Sequence, residues 1–311
     1  MRSYALPLSA LCVSGTLAAS SGALQNILLN TDKSDKYHYP TDFTREIIPK
    51  PFHSHNDYWR DVPLYSCLSY GAISTEADVW LVNGTLHIGH EPSALTDART
   101  LSSLYIEPLL DTLSRQNPST KYSQQASQNG VYDISSGQTL YLFIDMKTAP
   151  QDTWPAILSA LQPLRSGNWL TTYDGKTLTQ RPVTVVGTGN TQYADVMKYL
   201  PRDVFFDAPL ATLGNATYTN LTVNESPIAS TNFAASFGNV KGKEMNTTQL
   251  ALLQSQIKTA HDRGIMTRYW NQPAWPIGTR NAVWRTLWEQ GSDLLNVDDL
   301  KGASEFWDGS G

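Results

Sequence analysis

The sequence has few cysteines, few charged residues and no long block of lysine and arginine. Of its 311 residues, two are cysteine, 16% are charged and 41% are hydrophobic. A charged fraction below the roughly 25% usual in soluble domains, together with this apolar content, argues against intrinsic disorder. The net charge of −5 and the missing basic blocks argue against a nucleic-acid partner.

Nucleotide-binding glycine motifs are also missing, and we expect no internal disulfide in the mature chain. Neither G-x-G-x-x-G nor G-x-x-x-x-G-K occurs, which disfavours a doubly wound open sheet. Cys12 lies in a segment that we expect to be removed, so Cys67 is left as a single thiol. The size of the core, rather than crosslinking, must therefore stabilise the fold.

The N-terminal residues have the pattern of a secretory signal peptide, which we assign to residues 1–22. Arg2 precedes a largely apolar stretch at 4–17, and small residues at 18–23 offer cleavage points. Asn-x-Ser/Thr sequons support a secreted glycoprotein and lie at Asn83, Asn215, Asn220, Asn224 and Asn246. The alternatives for this segment are an uncleaved anchor or a mitochondrial leader.

After a polar arm at 23–46, short apolar runs alternate with stretches of helical periodicity. The predicted strands end near His53, Trp80, Met146, Val186, Phe206, Phe237, Tyr269 and Val297. The predicted helices cover 62–70, 99–113, 153–164, 192–200, 248–263 and 279–290, and Thr248 is the expected N-cap of the fifth. Eight strands alternating with helices predict one (β/α)8 TIM-type barrel over residues 47–311.

Three carboxylates lie on predicted barrel strands. Glu76 and Asp78 are two residues apart, so their side chains share one face of a strand. Asp145 lies inside the apolar run 141–146, where an uncompensated carboxylate is costly. Three acids converging on one barrel mouth would repel one another, and a hard divalent cation, Mg²⁺ or Ca²⁺, would relieve that repulsion.

Histidines flank these acids in the sequence. His53 and His55 end the first strand, and His87 and His90 follow the second. Two histidines on opposite sides of a phosphorus atom can act as base or nucleophile and as acid. If the segment is extended, His87 and His90 lie on opposite faces, and the flexible neighbour Gly89 favours His90.

Other polar residues are candidates for substrate contacts. Lys147 lies two residues after Asp145 on the same face and can meet an anionic oxygen. Arg268 has a fork that matches two phosphate oxygens. Trp270 and Asn271 follow it at the end of the seventh strand and can contact a head group or sugar, although ordinary packing explains the tryptophan equally well.

Seven short motifs occur in order between about residues 50 and 300. They are HSHNDY at 53–58, TEADVWL at 75–81, LHIGH at 86–90, RTL at 99–101, FIDMK at 143–147, RYWN at 268–271 and NVD at 296–298. As a series they resemble the PLC-like phosphodiesterase superfamily, which includes glycerophosphodiester phosphodiesterases and venom-type phospholipases D. The sequence is more closely similar to the fungal "altered inheritance of mitochondria" protein six family.

This resemblance implies a TIM-type barrel with one divalent metal that acts on a phosphodiester. Glu76 and Asp78 match the E-x-D metal pair, Asp145 matches the third ligand, and Lys147 matches the lysine two residues beyond it. His90 matches the second catalytic histidine.

The first strand departs from the glycerophosphodiester enzymes. The first catalytic histidine maps to His53 or His55, with a slight preference for His53 because it would end the strand. Those enzymes have His-Arg-Gly here, so a phosphate-holding arginine is missing, and their P-E-N-T element is absent. These departures concern the substrate more than the reaction type.

We therefore expect a secreted, metal-dependent phosphodiesterase that hydrolyses a glycerophosphodiester or phospholipid, or forms a cyclic phosphate as venom-type enzymes do. Its partner would be a small-molecule or lipid substrate, with contact to a membrane surface, and the protein would be a monomer. One alternative is a glycosidase that uses carboxylates such as Glu76 and Asp145. Another is a barrel that binds lipid or glycan without turnover.

Overall fold

The computed structural model describes residues 22–31, 34–123, 128–240, 242 and 244–307. The chain forms two compact units, Met1–Pro40 and Thr41–Gly311. The described part of the first unit contains helix α1 (Gly22–Thr31). The predicted signal peptide lies outside the described residues except for Gly22. No helix within the described residues has the length and hydropathy needed to cross a bilayer.

The second unit is built around a parallel sheet. Its strands are β1 (Lys50–Ser54), β2 (Ala72–Val82), β3 (Thr85–Ile88), β4 (Leu140–Met146), β5 (Thr172–Tyr173), β6 (Leu178–Thr179), β7 (Val183–Gly189), β8 (Val204–Phe206), β9 (Ala208–Pro209), β10 (Ile228–Asn232), β11 (Met266–Trp270) and β12 (Leu294–Val297). Nine of them are parallel neighbours in the order β8-β7-β4-β2-β1-β12-β11-β10-β9. β3 pairs antiparallel with β2, and β5 with β6.

The parallel strands form a nearly closed barrel with eight positions. β8 pairs with β7 and β9 pairs with β10, while only Asp207 separates β8 from β9 along the chain. These two segments therefore share the fifth position and connect the two ends of the sheet. The predicted TIM-type barrel is confirmed.

Helices lie between the strands along the chain. In the second unit they are α2 (Tyr65–Ser69), α3 (Glu107–Gln116), α4 (Pro150–Ala160), α5 (Gln162–Ser166), α6 (Tyr193–Met197), α7 (Phe233–Phe237), α8 (Thr247–His261), α9 (Ile277–Glu289) and α10 (Leu300–Phe306). A π-helical turn, Ser102–Ile106, leads into α3. The predicted N-cap Thr248 is wrong, because Asn246 caps α8 and forms a capping box with Gln249.

The predicted strand end near Phe237 is also wrong. β10 ends at Asn232, whose side chain accepts a hydrogen bond from the Ala235 amide and starts α7. Phe237 is the last residue of that helix and is buried beside Tyr269, with ring centroids 5.7 Å apart. A short apolar run with aromatic residues fits a helix as well as a strand, so the sequence pattern alone did not distinguish the two here.

Strand alternation and register position the polar residues inside the barrel. Ala77 and Val79 are fully buried and alternate with Glu76 and Asp78 along β2. In the pairing of β2 with β4, Asp78 lies opposite Asp145. The carboxylates predicted to converge therefore come from neighbouring strands at the carboxyl end of the barrel, where TIM-barrel active sites form.

Candidate active site

Glu76, Asp78 and Asp145, here called the acid cluster, meet at the barrel mouth. Each offers one carboxylate oxygen, and these oxygens lie within 4.8 Å of one another. Burial and the charges of the other two acids raise the pKa of Asp78 to about 6, and burial also raises the pKa of Asp145. Burial opposes ionisation of Glu76, but the charge of Arg268 holds its pKa below the usual range.

Lys147 partly neutralises the acid cluster. Its Nζ lies 2.7 Å from Asp145 Oδ2 and 3.0 Å from Asp78 Oδ2. Burial opposes its charge, yet the two carboxylates raise the pKa of Lys147 above its ordinary value. Asp78 Oδ1 and Asp145 Oδ1 are buried without a hydrogen-bond partner among the described residues. These oxygens fit the oxygen ligands that a hard divalent cation requires.

Gly189 lies against the unpartnered oxygen of Asp145. It ends β7 with φ at +63°, and a Cβ at this position would overlap Asp145 Oδ1 and lie 2.8 Å from Met146 O. Only glycine accommodates both the left-handed backbone and this close approach. The lack of a side chain at Gly189 thus leaves room for the Asp145 carboxylate.

His53 is fully buried beneath the acid cluster. Its Nδ1 lies 2.7 Å from Ser74 Oγ, and its Nε2 lies 2.9 Å from Arg268 Nη1. A guanidinium only donates, so Nε2 is the acceptor and Nδ1–H donates to Ser74. Burial and the charge of Arg268 lower the pKa of His53 to about 3. His53 is thus neutral, with both ring nitrogens engaged.

His55 reaches the acid cluster from the same motif but is partly exposed. Its Nδ1 lies 2.8 Å from Asp298 Oδ1, and its Nε2 lies 3.9 Å from Glu76 Oε2. Burial opposes protonation, but the hydrogen bond to Asp298 and the charge of Glu76 raise the pKa of His55. Arg60 donates to the backbone oxygens of both His55 and Asp298, so the loops that carry the pair are joined.

His90 approaches the acid cluster from the side of Asp78. Its Nδ1 lies 3.4 Å from Asp78 Oδ2 and 2.9 Å from the Tyr58 hydroxyl, and half of its side chain is exposed. The Trp59 ring lies 5.2 Å from the His90 ring. His87 instead has its Nδ1 3.0 Å from Thr96 O. The structure therefore brings together His90, and not His87, with the acids.

Arg268 lies inside the barrel, and two of its three guanidinium nitrogens, Nε and Nη1, donate hydrogen bonds to side chains. Nε donates to Ser230 Oγ at 2.9 Å, and Nη1 donates to Asn296 Oδ1 at 3.0 Å. The guanidinium also lies 3.9 Å from Glu76 Oε1 and 3.7 Å from Asp207 Oδ2. Only 3% of this arginine is exposed. Such burial and pairing favour a role in orienting its neighbours over the expected contact with phosphate.

Trp270 and Asn271 lie at the rim of the mouth, at and just beyond the end of β11. Trp270 is about one-third exposed, with 37% of its surface accessible. Asn271 adopts φ of +59°, and its Nδ2 donates to Asn232 Oδ1 at 3.1 Å. Within the described residues, no hydrogen bond or ion pair joins either side chain to the acid cluster.

Two residues of the site were not assigned from the sequence. Tyr58 belongs to the HSHNDY motif, but its contact with His90 depends on tertiary structure. Asp207 interrupts a run of apolar residues, the same signal that identified Asp145. Its side chain is almost fully buried, and burial raises its pKa to about 6.

Comparison with known proteins identifies related chains. A family model described as an AIM6-like phosphodiesterase domain matches residues 41–207. The chain is 49% identical over 301 residues, 94% of both chains, to the "Altered inheritance of mitochondria protein 6 homolog" of Arthroderma benhamiae. It is 38% identical over 270 residues to the "Altered inheritance of mitochondria protein 6" of Eremothecium gossypii, covering 82% of this chain and 68% of that protein. The Saccharomyces cerevisiae protein of that name is 34% identical over 286 residues, covering 84% and 72%.

These relatives correct one expectation and confirm another. The expected secretion is wrong, because the relatives are named for the inheritance of mitochondria and not as secreted proteins. An arginine followed by an apolar stretch is too general a pattern to assign a compartment by itself. The resemblance stated from the motifs is confirmed by the family model and by the relatives. The chain belongs to the AIM6-like phosphodiesterase domain family.

Proposed function

We propose that this protein is a metal-dependent phosphodiesterase whose active centre is the acid cluster with His55 and His90. The observation that carries the proposal is the meeting of three carboxylates within 4.8 Å, beside two partly exposed histidines. A phosphodiester carries a negative charge, so a site built from acids needs a cation to bind it.

Glu76, Asp78 and Asp145 would hold a single divalent ion. Carboxylate oxygens suit Mg²⁺ or Ca²⁺, and two such oxygens are buried without a partner among the described residues. When bound, the ion supplies positive charge that stabilises a non-bridging phosphate oxygen. Lys147, which already contacts two of these acids, would donate to another anionic oxygen of the substrate.

His55 is the proposed general base. Asp298 accepts from Nδ1–H, so Nε2 has the free electron pair and faces the acid cluster. Nε2 would take a proton from the attacking water, or from a neighbouring hydroxyl of the substrate, which then gives a cyclic phosphate. Asp298 stabilises the imidazolium that forms, as the aspartate of a catalytic triad does.

His90 is the proposed general acid. From its Nε2 it would donate a proton to the oxygen of the leaving alcohol as the P–O bond breaks. One proton thus enters the protein at His55 and one leaves it at His90. His53 is assigned no proton transfer, because both of its nitrogens are engaged by Ser74 and Arg268.

The substrate class is proposed from the rim of the mouth. Trp59 follows β1, and Trp270 and Trp275 lie at the end of β11 and in the loop beyond it, with exposed fractions of 58%, 37% and 76%. Exposed tryptophans are favoured at the interface between lipid head groups and water. They support a glycerophosphodiester or phospholipid substrate taken from a lipid surface.

The test is turnover by the recombinant protein on a panel of phosphodiesters. The panel contains a glycerophosphodiester, lysophospholipid and sphingomyelin in vesicles, and a chromogenic aryl diester. We expect turnover that EDTA abolishes and that Mg²⁺ or Ca²⁺ restores. His55→Ala and His90→Ala should each lower kcat by about 10²–10⁴-fold. His87→Ala is the matched control and should leave kcat unchanged, because His87 bonds to Thr96 O.

Each failure of this test has a distinct meaning. No turnover of any diester with either metal would contradict the proposed function. Cleavage of a glycoside that persists in EDTA would favour the glycosidase alternative. Vesicle binding without product, unaffected by His90→Ala, would favour a non-catalytic lipid-binding barrel.

A further inference from the structure

The Tyr58 hydroxyl lies between the acid cluster and His90. Tyr58 is buried in the single turn Asp57–Trp59 that follows β1. Its hydroxyl oxygen lies 2.7 Å from Asp78 Oδ2 and 2.9 Å from His90 Nδ1. No other tyrosine hydroxyl of the described residues contacts a histidine of the site. This residue has no part in the mechanism above.

The chemistry of the three groups assigns the protons between them. The Tyr58 hydroxyl has one proton, and an ionised Asp78 can only accept it. The phenolic oxygen is then an acceptor, which requires His90 to present Nδ1–H. The structure places Asn56 Oδ1 2.6 Å from the same oxygen. The single hydroxyl proton cannot be donated to both Asn56 and Asp78, so this assignment turns the Asn56 amide to present Nδ2–H to Tyr58, since the two ends of an amide are assigned from hydrogen bonding.

The surroundings hold Tyr58 and His90 in this arrangement. Arg99 donates from its guanidinium to the backbone oxygen of Tyr58. The rings of Tyr58 and His90 are nearly parallel, with an interplanar angle of 23° and centroids 6.5 Å apart. Half of the His90 side chain is exposed, and its Nδ1 contacts the buried phenol.

We propose that Tyr58 is the positioning residue of His90 and fixes the neutral ring as the Nδ1–H tautomer. The inference rests on the proposed function and deepens it. In the imidazolium both nitrogens carry protons; Nε2–H gives its proton to the leaving oxygen, and Nδ1–H remains bonded to Tyr58. Tyr58 therefore stabilises the acid before transfer and the tautomer left after it.

This role predicts a dependence on the leaving group. An alkyl alcohol leaves only when it is protonated, whereas 4-nitrophenolate leaves readily without a proton. Removing the Tyr58 hydroxyl should therefore slow cleavage of an alkyl diester and spare an aryl diester. A change that acted through Asp78 and metal binding would slow both substrates equally, because both need the metal.

The kinetic experiment compares Tyr58→Phe with wild type on glycerophosphocholine and on bis(4-nitrophenyl) phosphate at saturating Mg²⁺. We expect kcat to fall about 10–100-fold on the alkyl diester and less than about threefold on the aryl diester. In a protein that already carries His90→Ala, Tyr58→Phe should lower kcat on the alkyl diester by less than about threefold further, because Tyr58 acts through the His90 ring. Tyr132→Phe is the matched control: it removes a buried hydroxyl that donates to Ala72 O at 2.6 Å, far from His90 in the barrel.

A second readout does not depend on activity. Nitrogen-15 NMR of the histidine rings should show neutral His90 as the Nδ1–H tautomer in wild type and Tyr132→Phe, and as a mixture with Nε2–H in Tyr58→Phe. An Nε2–H tautomer in wild type would overturn the inference. Equal slowing of both substrates by Tyr58→Phe would also overturn it while leaving the phosphodiesterase intact. No cleavage of these two substrates or of any other diester in the panel would contradict the proposed function, and with it the proton transfer assigned to His90.

Discussion

His53 Nε2 accepts a hydrogen bond from Arg268 Nη1 at 2.9 Å, and this contact distinguishes the two histidines of the first strand. With Ser74 on the other nitrogen, the ring of His53 has no free electron pair for a substrate. His55 instead pairs with Asp298 and faces the acid cluster with Nε2. The geometry thus favours His55 where the sequence slightly favoured His53.

The first prediction separates the roles of these histidines. His55→Ala should lower kcat by about 10²–10⁴-fold and leave the free energy of unfolding nearly unchanged. His53→Ala should lower the free energy of unfolding by about 1–3 kcal/mol, because it leaves a buried guanidinium donor unpaired. Urea unfolding measured beside kinetics gives both quantities. The assignment is contradicted if His53→Ala is stable yet inactive and His55→Ala retains activity.

The second prediction concerns Gly189. Gly189→Ala adds a Cβ that would displace the Asp145 carboxylate, so Mg²⁺ affinity should fall about 10–100-fold. Calorimetric titration measures that affinity. Gly84→Ala is the matched control, since Gly84 also has positive φ, +81°, but has open space around its Cβ position. Equal affinity in the two variants would mean that Asp145 is not a ligand or that it tolerates displacement.

The third prediction is a pH dependence from Asp207. Its pKa, about 6 in the fold, lies above the ordinary value of 3.8, so the folded state keeps a proton that the unfolded chain has lost. Asp207 thus makes its largest contribution to the free energy of unfolding below about pH 4. That contribution falls by about 2–3 kcal/mol as the pH rises through 6. Urea unfolding in EDTA should show wild type losing stability relative to Asp207→Asn across this window. If the difference in unfolding free energy between the two proteins stayed constant with pH, the raised pKa of Asp207 would be refuted.

The fourth prediction concerns Lys147. Lys147→Met removes the cation between Asp78 and Asp145, so the metal-free protein should lose about 1–3 kcal/mol of stability. Without that competing charge, Mg²⁺ should bind more tightly and raise Tm by more than in wild type. Lys258→Met is the control, because Lys258 pairs with Asp262 on an exposed helix surface. A Tm shift no larger than in wild type would contradict this prediction.

The fold was largely predictable because the barrel repeats one local pattern. Seven of the eight predicted strand ends lie within barrel strands, from His53 in β1 to Val297 in β12. The pattern failed at Phe237, where hydrogen bonding by Asn232 decides that a helix begins. Strand alternation also correctly placed Glu76 and Asp78 on one face.

The rest of the site depends on partners that are distant in sequence. Nothing near Arg268 in the sequence shows that Ser230 and Asn296 accept hydrogen bonds from it. Tyr58 is one of 15 tyrosines, and only the fold brings its hydroxyl to His90. The acid cluster was easier to find, because an acid inside an apolar strand, such as Asp145, is unusual by itself.

The most direct test of the account is the position of a metal in crystals grown with Mn²⁺, whose anomalous scattering identifies it. The account predicts one peak at the barrel mouth, within about 2.0–2.6 Å of an oxygen from each of Glu76, Asp78 and Asp145. No peak there at saturating Mn²⁺, or a peak bound by other residues while these carboxylates point apart, would contradict it.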